Sequence, residues 1–405
     1  MKVYTEEKKP IKCWCNKPED GAIDQARNLA NLPFLYKHVA LMPDTHFGFG
    51  MPIGGVIAVK GVVIPNAVGV DIGCGMCAIK TSISSPTFED NDKLKEIMSK
   101  IREKIPVGKN WNKDYNDKLL PKIMGVLPRY AFGGTKDIED YSNQYPIISN
   151  QWLPASQQLG SLGRGNHFIE IQKDEEDNVW IMIHSGSRNL GKRVADYHND
   201  IAKKLNKMWH TKVEKEWDLA FLPIETKEAK TYMREMEFCL EFALANRKLM
   251  MEKVKESFIE ILGDTQFDEM INIHHNYAIW ESHYGENVIV HRKGATLARE
   301  GTIGIIPGSQ GTSSYIVKGR GNHESFNSCS HGAGRKMGRK QAIRELNLEE
   351  EKNKLEDKGI IHSIRSEKEL DEASGAYKDI DVVMEEQKDL VEIVTKLEPM
   401  AVIKG

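Results

Sequence analysis

A chain of 405 residues, with 40% hydrophobic and 28% charged positions, has enough apolar material to bury a substantial core, which excludes a disordered polypeptide. Its 56 Lys and Arg against 59 Asp and Glu leave a formal charge of -3, so a polyanionic partner must be met by a local patch rather than a global field. Six cysteines are too sparse for a disulfide scaffold, and reduced thiols are expected.

The opening MKVYTEEKKPIKCWC is charged throughout and lacks the apolar stretch of a secretory signal, so a soluble cytoplasmic protein is expected. Four Gly-rich apolar blocks then alternate with more charged helical stretches. The first spans about 39–80, and its run GGVIAVKGVVIPNAVGV is broken by Lys60 and Pro65 short of the ~20 residues of a membrane helix. The second spans about 159–191, the third about 270–334 and the last 376–405. Within them the β-branched runs VIAV, VVIP, VWIMI, VIVH and YIVK, bounded by Gly or Pro, predict strands. Between the second and third blocks, at about 194–262, Met236, Leu240, Ala243, Met250, Val254, Phe258 and Ile261 recur at helical spacing and predict a core-facing amphipathic helix. A further charged helix is expected over about 336–358. No repeat and no Pro/Ser-rich linker separates the blocks, which predicts one integrated domain over 1–405 with a helical insertion at about 194–262.

Residue types that carry chemistry concentrate in the Gly-rich blocks. Asp44 and His46 lie in MPDTHFGFG, Asp71 and Cys74 in VGVDIGCGM, Asn166 and His167 in GRGNHFIEI, and His184 ends VWIMIHSGSR. His274, His275 and Asn276 lie in INIHHNYA, and His331 in SCSHGAGR. Asp71 and Cys74 sit between glycines that let the backbone turn sharply, so both side chains can face one cation; a buried structural Cys with a turn-forming Asp is the other reading. His167, His184 and His275 flank predicted strands and are the candidate imidazole partners. Five ligands exceed one tetrahedral site and suit a two-metal cluster with a shared ligand. The thiolate tilts the donor set toward zinc over manganese or iron. His331 stands on a Gly-rich loop read as entering a helix, RKMGRKQAIREL, whose N-terminal N–H groups would favour bound phosphate, and imidazole is a competent nucleophile toward phosphorus. A capping turn with an incidental His is the alternative. PGSQGTSS, at 307–314, is a second loop able to cradle a phosphate or base, although many hairpins look like it.

PDTHFGFGMPIGGV, GVDIGCGM, GNHFIE, HSGSR, HHNY, IIPGS, SCSHGAGR, AYKDID and a terminal KG follow one another in that order. Together they resemble the RtcB family of 3′-phosphate RNA-splicing ligases, in its compact bacterial form. The resemblance implies a single RtcB-like catalytic domain of α+β class, with central β-sheets bearing the metal site. It implies a GTP- and Mn²⁺-dependent RNA ligase that joins 3′-phosphate or 2′,3′-cyclic phosphate ends to 5′-hydroxyl ends, in RNA repair or tRNA splicing. The route runs through a guanylylated histidine and an RNA(3′)pp(5′)G intermediate. Asp71, Cys74, His167, His184 and His275 match the ligands of two manganese ions, with Cys74 as the bridge, which overrides the tilt toward zinc. His331 matches the histidine that carries GMP, and Asp44 an acidic residue implicated in catalysis. Asn166, Phe168, Glu170, Asn276, Ser309, Ser314, Ala333, Gly334, Tyr377 and Lys404 match guanylate contacts, with Lys404 reading the guanine. Arg188 matches a residue that binds RNA phosphate, and His274 is left as structural. The partners implied are RNA with broken or intron-cleaved ends and an archease-type activator, with no membrane.

Departures from the family are few. After His46 the loop carries Phe47 and Phe49, where other members show polar, basic or other aromatic residues, which bears on substrate-end preference. The stretch 92–118 is basic on balance, with Trp111 and Tyr115 interleaved; it reads as a track for single-stranded RNA or as an ordinary solvated helix and loop. A metal-dependent phosphoesterase acting on RNA ends without sealing is the competing activity, and a non-catalytic RNA-binding module is the third reading. His331 in its Gly-rich motif separates them, because a hydrolase has no need of a guanylylated histidine.

Overall fold

The computed structural model describes residues 1–113 and 144–405. Two large sheets organise it. The first has the order β1 (Lys2–Tyr4), β2 (Ile11–Cys13), β3 (Leu35–His46), β4 (Ile53–Val59), β12 (Glu286–Lys293) and β11 (Asn276–His283), antiparallel except for β2 against β3. The second has the order β10 (Ile271–His274), β6 (Gly75–Ser84), β8 (Asn178–Ser185), β7 (Phe168–Asp174), β17 (Val391–Lys404), β15 (Ser314–Gly319) and β14 (Ile303–Ile306). Its two edge strands approach each other, curling the sheet toward closure. Two short pairs complete the strands, β5 (Val62–Val63) with β9 (Leu222–Pro223) and β13 (Ala295–Leu297) with β16 (Ser328–Ser330).

Continuous apolar runs, rather than alternating ones, are what a sheet buried on both faces requires. In β3 and β4, Val39, Leu41, Ile57 and Val59 enter one core while Ala40, Met42, Val56 and Ala58 enter another. In the second sheet, Ile169, Ile171, Ile181 and Ile183 face one side, and Phe168, Met182 and Val402 the other. The period of two thus serves two cores at once.

Among the described residues the α-helices are α1 (Asp20–Ala30), α2 (Asp92–Lys104), α3 (Pro146–Gln158), α4 (Arg188–Met208), α5 (Lys227–Leu262), α6 (Arg339–Glu345), α7 (Leu348–Glu356) and α8 (Ile380–Glu386). Helical structure around 194–262 is divided into α4, which starts earlier at Arg188, and α5, with β9 between them. Thr226 caps α5 by accepting from the Ala229 N–H, and Gly263, at φ +81°, ends it. The single helix expected over 336–358 is also two, because Asn347 accepts from Glu349 and Glu350 N–H groups and so starts α7 afresh. None of the helices among the described residues is long and apolar enough to cross a membrane.

The basic stretch begins as an ordinary amphipathic helix. Leu94, Ile97, Met98 and Ile101 of α2 are buried, while Lys95, Lys100 and Lys104 pair with Asp92, Glu103 and Glu256 with Glu260. Trp111 is exposed; Tyr115 and Lys118 lie outside the described residues.

One buried ion pair pins the first sheet. Arg292 donates to both Glu281 oxygens, at 2.5 and 3.2 Å, and also to Ser328 Oγ and the Phe326 carbonyl. Burial alone would raise the Glu281 carboxyl, but Arg292 and His283 hold it at about 2. Glu281→Ala, which strands a buried guanidinium, is expected to cost about 3–5 kcal/mol in urea unfolding, and replacing both residues by Leu and Met much less. Equal losses in the two proteins would mean that the pair itself, not the stranded charge, carries the stability.

Candidate active site

The two sheets meet where one strand ends and the next changes sheets. β10 belongs to the second sheet and β11 to the first, so His275, between them, sits on the crossing. Cys74 immediately precedes β6, His184 lies near the end of β8, and His167 immediately precedes β7. Register brings these ends together: Met76 pairs with His184, His184 with Phe168, and Phe168 with Lys404. From the other side, β3 contributes Asp44, and the turn after β16 contributes His331.

The side chains form a row. His167 Nε2 lies 3.2 Å from Asp71 Oδ2 and 3.6 Å from Cys74 Sγ, and Cys74 Sγ lies 3.2 Å from His184 Nε2. The His184 ring packs edge-on against His275 at 5.2 Å between centroids, and His275 against His331 at 4.8 Å. His331 Nδ1 closes the row on Asp44 Oδ2 at 2.6 Å. All of the sequence-predicted metal ligands and both catalytic candidates therefore fall in one continuous line.

The donor chemistry fits a cation. His167 and His184 each give Nδ1–H to a backbone carbonyl, Leu162 at 2.9 Å and Asn166 at 3.0 Å, which leaves both Nε2 lone pairs facing Sγ. One thiol proton cannot satisfy two acceptors and the Asp71 carboxylate. Cys74, His167 and His184 present ligand atoms within 4.8 Å of one another, and all three residues are buried. His275 Nδ1 is buried without a hydrogen-bond partner. Burial pushes the His184 and His275 imidazoles well below their ordinary value, so both offer lone pairs. Burial, with Asp71 beside it, pushes the Cys74 thiol well above its own, and a cation at Sγ would reverse that.

At the other end, Asp44 is fully buried and accepts from both the His331 ring and the His331 backbone N–H, the latter at 3.1 Å. Burial would raise the Asp44 carboxyl, but His331 beside it, with His46 and Lys378, pulls it below the ordinary range. In the neutral tautomer whose Nδ1–H donates to this carboxylate, the His331 Nε2 lone pair is free. Gly294, at φ +60°, permits this placement, since a Cβ there would press on the His331 ring and Ile53.

His331 opens into a cavity also lined by Asn166, Phe168, Glu170, His184, Ser309, Ala333, Gly334, Tyr377 and Lys404. Lys404 reaches it because β17 is paired to the end, with Nζ 5.6 Å from the centre of the Phe168 ring. Burial raises the Glu170 carboxyl to about 8, with Gln172 and Lys404 pulling the other way. Asn276 and Ser314 stand behind the cavity wall. The Asn276 amide spans the Asp71 carbonyl and the Gly294 N–H, while Ser314 Oγ accepts from Gly308 N–H and Gln172. Arg188 sits at the opposite end, donating to Ser161 Oγ at 3.3 Å; burial lowers its pKa, and Asp71 and Cys74 oppose that shift.

One expectation is corrected. His331 does not enter a helix: α6 starts eight residues later, at Arg339, because Gly334 takes φ +73° and Arg335 bridges to Tyr377. The loop of His331 therefore offers a phosphate no helix N-terminus of its own. PGSQGTSS is the turn of the β14–β15 hairpin, yet its Pro307, Gly308, Ser309 and Gln310 do line the cavity.

Sequence reasoning missed three residues. Asn246 and Arg247, buried on α5, bind the Gly73, Ser185 and Gly186 carbonyls that carry the Asp71, Cys74 and His184 loops. Arg247 also faces His274 at 3.3 Å, which, with the Gly73 carbonyl, accounts for that histidine as structural. Glu372 lines the cavity, accepts from the Tyr377 hydroxyl and pairs with Arg335 and Arg339. Its setting, SEKELDEA, reads as a solvated face, and no motif marks it.

Residues 25–405 match the family model described as tRNA-splicing ligase RtcB. The chain is 40% identical over 413 residues to the RNA-splicing ligase RtcB of Escherichia coli (strain K12), covering 100% of this chain and 99% of that protein. To the RNA-splicing ligase RtcB1 of Escherichia coli (strain ATCC 25922) it is 39% identical over 413 residues, with the same coverage. To the tRNA-splicing ligase RtcB of Thermococcus kodakarensis it is 32% identical over 447 residues, covering 96% and 92% of the two chains.

Proposed function

The chain belongs to the RtcB family and is an RNA ligase, and from that premise we propose that it uses GTP and Mn²⁺ to join RNA 3′-phosphate or 2′,3′-cyclic phosphate ends to 5′-hydroxyl ends. The observation that carries the reading is the line from Asp71 to Asp44, in which a free imidazole nitrogen of His331 adjoins both a cation-ready cluster and the cavity that Lys404, Phe168 and Tyr377 line. Asp71, Cys74, His167, His184 and His275 would hold two manganese ions, with Cys74 central to the donor set. Bound there, the metal supplies charge neutralisation and Lewis-acid polarisation of phosphate oxygens.

His331 Nε2 attacks the GTP α-phosphorus; a nitrogen–phosphorus bond forms and pyrophosphate leaves. Asp44 stabilises the proton that stays on Nδ1 as positive charge develops on the ring. A 2′,3′-cyclic phosphate is first opened by water, which breaks its P–O2′ bond; an RNA 3′-phosphate oxygen then displaces the imidazole and takes GMP, giving RNA(3′)pp(5′)G. The 5′-hydroxyl oxygen attacks the RNA 3′-phosphorus, and GMP leaves as the phosphodiester forms. Arg188, at the Asp71 end, positions RNA phosphate. Phe168 and Tyr377 flank the base, Glu170 accepts its N–H donors, and Lys404 donates to O6. Asn276 and Ser314 act on the guanylate by holding the walls that touch it. The six cysteines are free and buried, which suits the reducing cytoplasm, where repair of broken RNA or tRNA splicing takes place and an archease-type activator would be met.

Incubation with α-labelled GTP and Mn²⁺, followed by denaturing electrophoresis, tests this: a covalent label is expected, and its absence would overturn the guanylylation route. The same label excludes a phosphoesterase, which needs no nucleotide on His331.

Glu170 makes GTP affinity pH-dependent. Below about 8 its carboxyl is protonated in the empty site and cannot accept both guanine donors. Raising the pH from 6.5 toward 8 should therefore lower the Kd for GTP by up to about tenfold per unit. Because the folded pKa lies above the ordinary 4.5, the same ionisation costs the empty protein stability as pH rises through that window. Glu170→Gln should bind more weakly at pH 8 and with a flat profile; an unchanged slope, read by titration calorimetry, removes Glu170 from guanine recognition.

A further inference from the structure

The loop that follows His46 holds two phenyl rings in water on a backbone that is clamped on every side. Phe47 and Phe49 are 60% and 74% exposed. The Phe47 N–H donates to Glu19 at 3.1 Å. Gln25 grips Gly48 twice, accepting from its N–H at 3.0 Å and donating to its carbonyl at 2.6 Å. The buried ammonium of Lys293 donates to the Phe49 carbonyl at 2.6 Å and to the Asn66 carbonyl at 3.0 Å, tying this loop to the one that leads to Asp71. Gly21 lets the Phe47 ring rest against the start of α1, since a Cβ there would lie 2.9 Å from it.

Three polar side chains thus fix the loop backbone while its two largest apolar side chains bury little. Burying either ring against the protein would stabilise the fold, so their presentation to solvent on a rigid support marks a surface with an occupant. The loop is continuous with the reaction centre: His46 lines the cavity beside His331, and Phe47 is three residues from Asp44, within about 11 Å of it along the chain. Unpaired RNA ends are recognised by stacking their bases on aromatic side chains.

We propose that Phe47 and Phe49 form a stacking platform for the terminal nucleobases of the RNA being joined. The proposal rests on the ligase reading for its ligand. The rings supply affinity and set the end for reaction without contacting the reacting phosphorus, so they are positioning residues.

The test uses the full chain with Phe47→Ala, Phe49→Ala, the double variant and the two Trp replacements. Short fluorescein-labelled RNAs ending in 3′-phosphate or in 5′-hydroxyl, each with a normal or an abasic terminal nucleotide, are titrated by anisotropy. Each Ala variant should raise the Kd for the normal RNA about tenfold and leave that for the abasic RNA unchanged, and Trp should restore binding. The end that responds identifies the strand that stacks. Unchanged Kd values, or equal losses on normal and abasic RNA, would overturn the platform and leave the rings to a protein partner. GMP labelling without RNA is measured in parallel: failure of wild-type labelling strikes the ligase route, whereas labelling with unaltered RNA affinity strikes only the platform.

Discussion

His331→Ala should abolish covalent GMP labelling, a loss of at least about 10³-fold, while the protein's manganese content stays at the wild-type level. No neighbour replaces the lost nitrogen. His275 lies 4.8 Å away between ring centroids, but its ring adjoins His184 in the proposed ligand set, and His46 has its Nδ1 engaged by the Asp44 carbonyl at 2.9 Å. The His331 ring is partly exposed at the cavity mouth, so truncation leaves a hydrated gap rather than a core void. Asp44→Asn gives the companion result. The amide cannot stabilise the imidazolium, and it permits the tautomer with the proton on Nε2, so labelling should slow by about 10²–10⁴-fold. His331→Ala that still labels at the wild-type level would remove the nucleophile assignment. Labelling by Asp44→Asn at the wild-type rate would show that the tautomer is fixed by something other than this carboxylate.

Much of that arrangement was legible because short-range chemistry dictated it. VIAV and VWIMI had to be buried strands, since β-branched runs between glycines fit little else, and they became β4 and β8. MAVIK lies in the last apolar block, 376–405, and it became the last part of β17, which carries Lys404 to the cavity. What stayed hidden depended on distant contacts. Arg247 falls on the apolar stripe of α5 itself, four residues after Ala243 and three before Met250, but the polar side chains of Asn246 and Arg247 resemble solvated ones until that helix packs over the loops of Cys74 and His184. Glu372 is hidden for a similar reason: its charge resembles surface charge until Arg335, Arg339 and Tyr377 gather around it. The helix expected at His331 failed because Gly332, Gly334 and Gly338 make non-helical backbone cheap there, and propensity could not outweigh them.

The second large effect is expected for Cys74→Ala, which should lose at least one manganese and, with it, both guanylylation and sealing. Sγ is central to the cluster, 3.2 Å from one Nε2 and 3.6 Å from the other, with the Asp71 carboxylate on one flank and His275 beyond His184 on the other. A central donor touches both halves of a divided site, whereas His167→Ala or His275→Ala removes a donor from one half only. Burial and Asp71 make the empty pocket hostile to a thiolate, so the charge on sulfur exists only when a cation offsets it. Metal uptake should therefore release a proton from Cys74, and the variant should release fewer protons when manganese is added to unbuffered protein. Cys74→Ser separates charge from size: its hydroxyl fills the same space but stays protonated, so manganese content should fall nearly as far as in the Ala variant. Elemental analysis reads the stoichiometry without reference to activity, and circular dichroism checks that the fold is retained. Full manganese occupancy in a folded Cys74→Ala protein would show that sulfur lies beside the metal site rather than between its halves, and the loss expected of a shared ligand would then not occur.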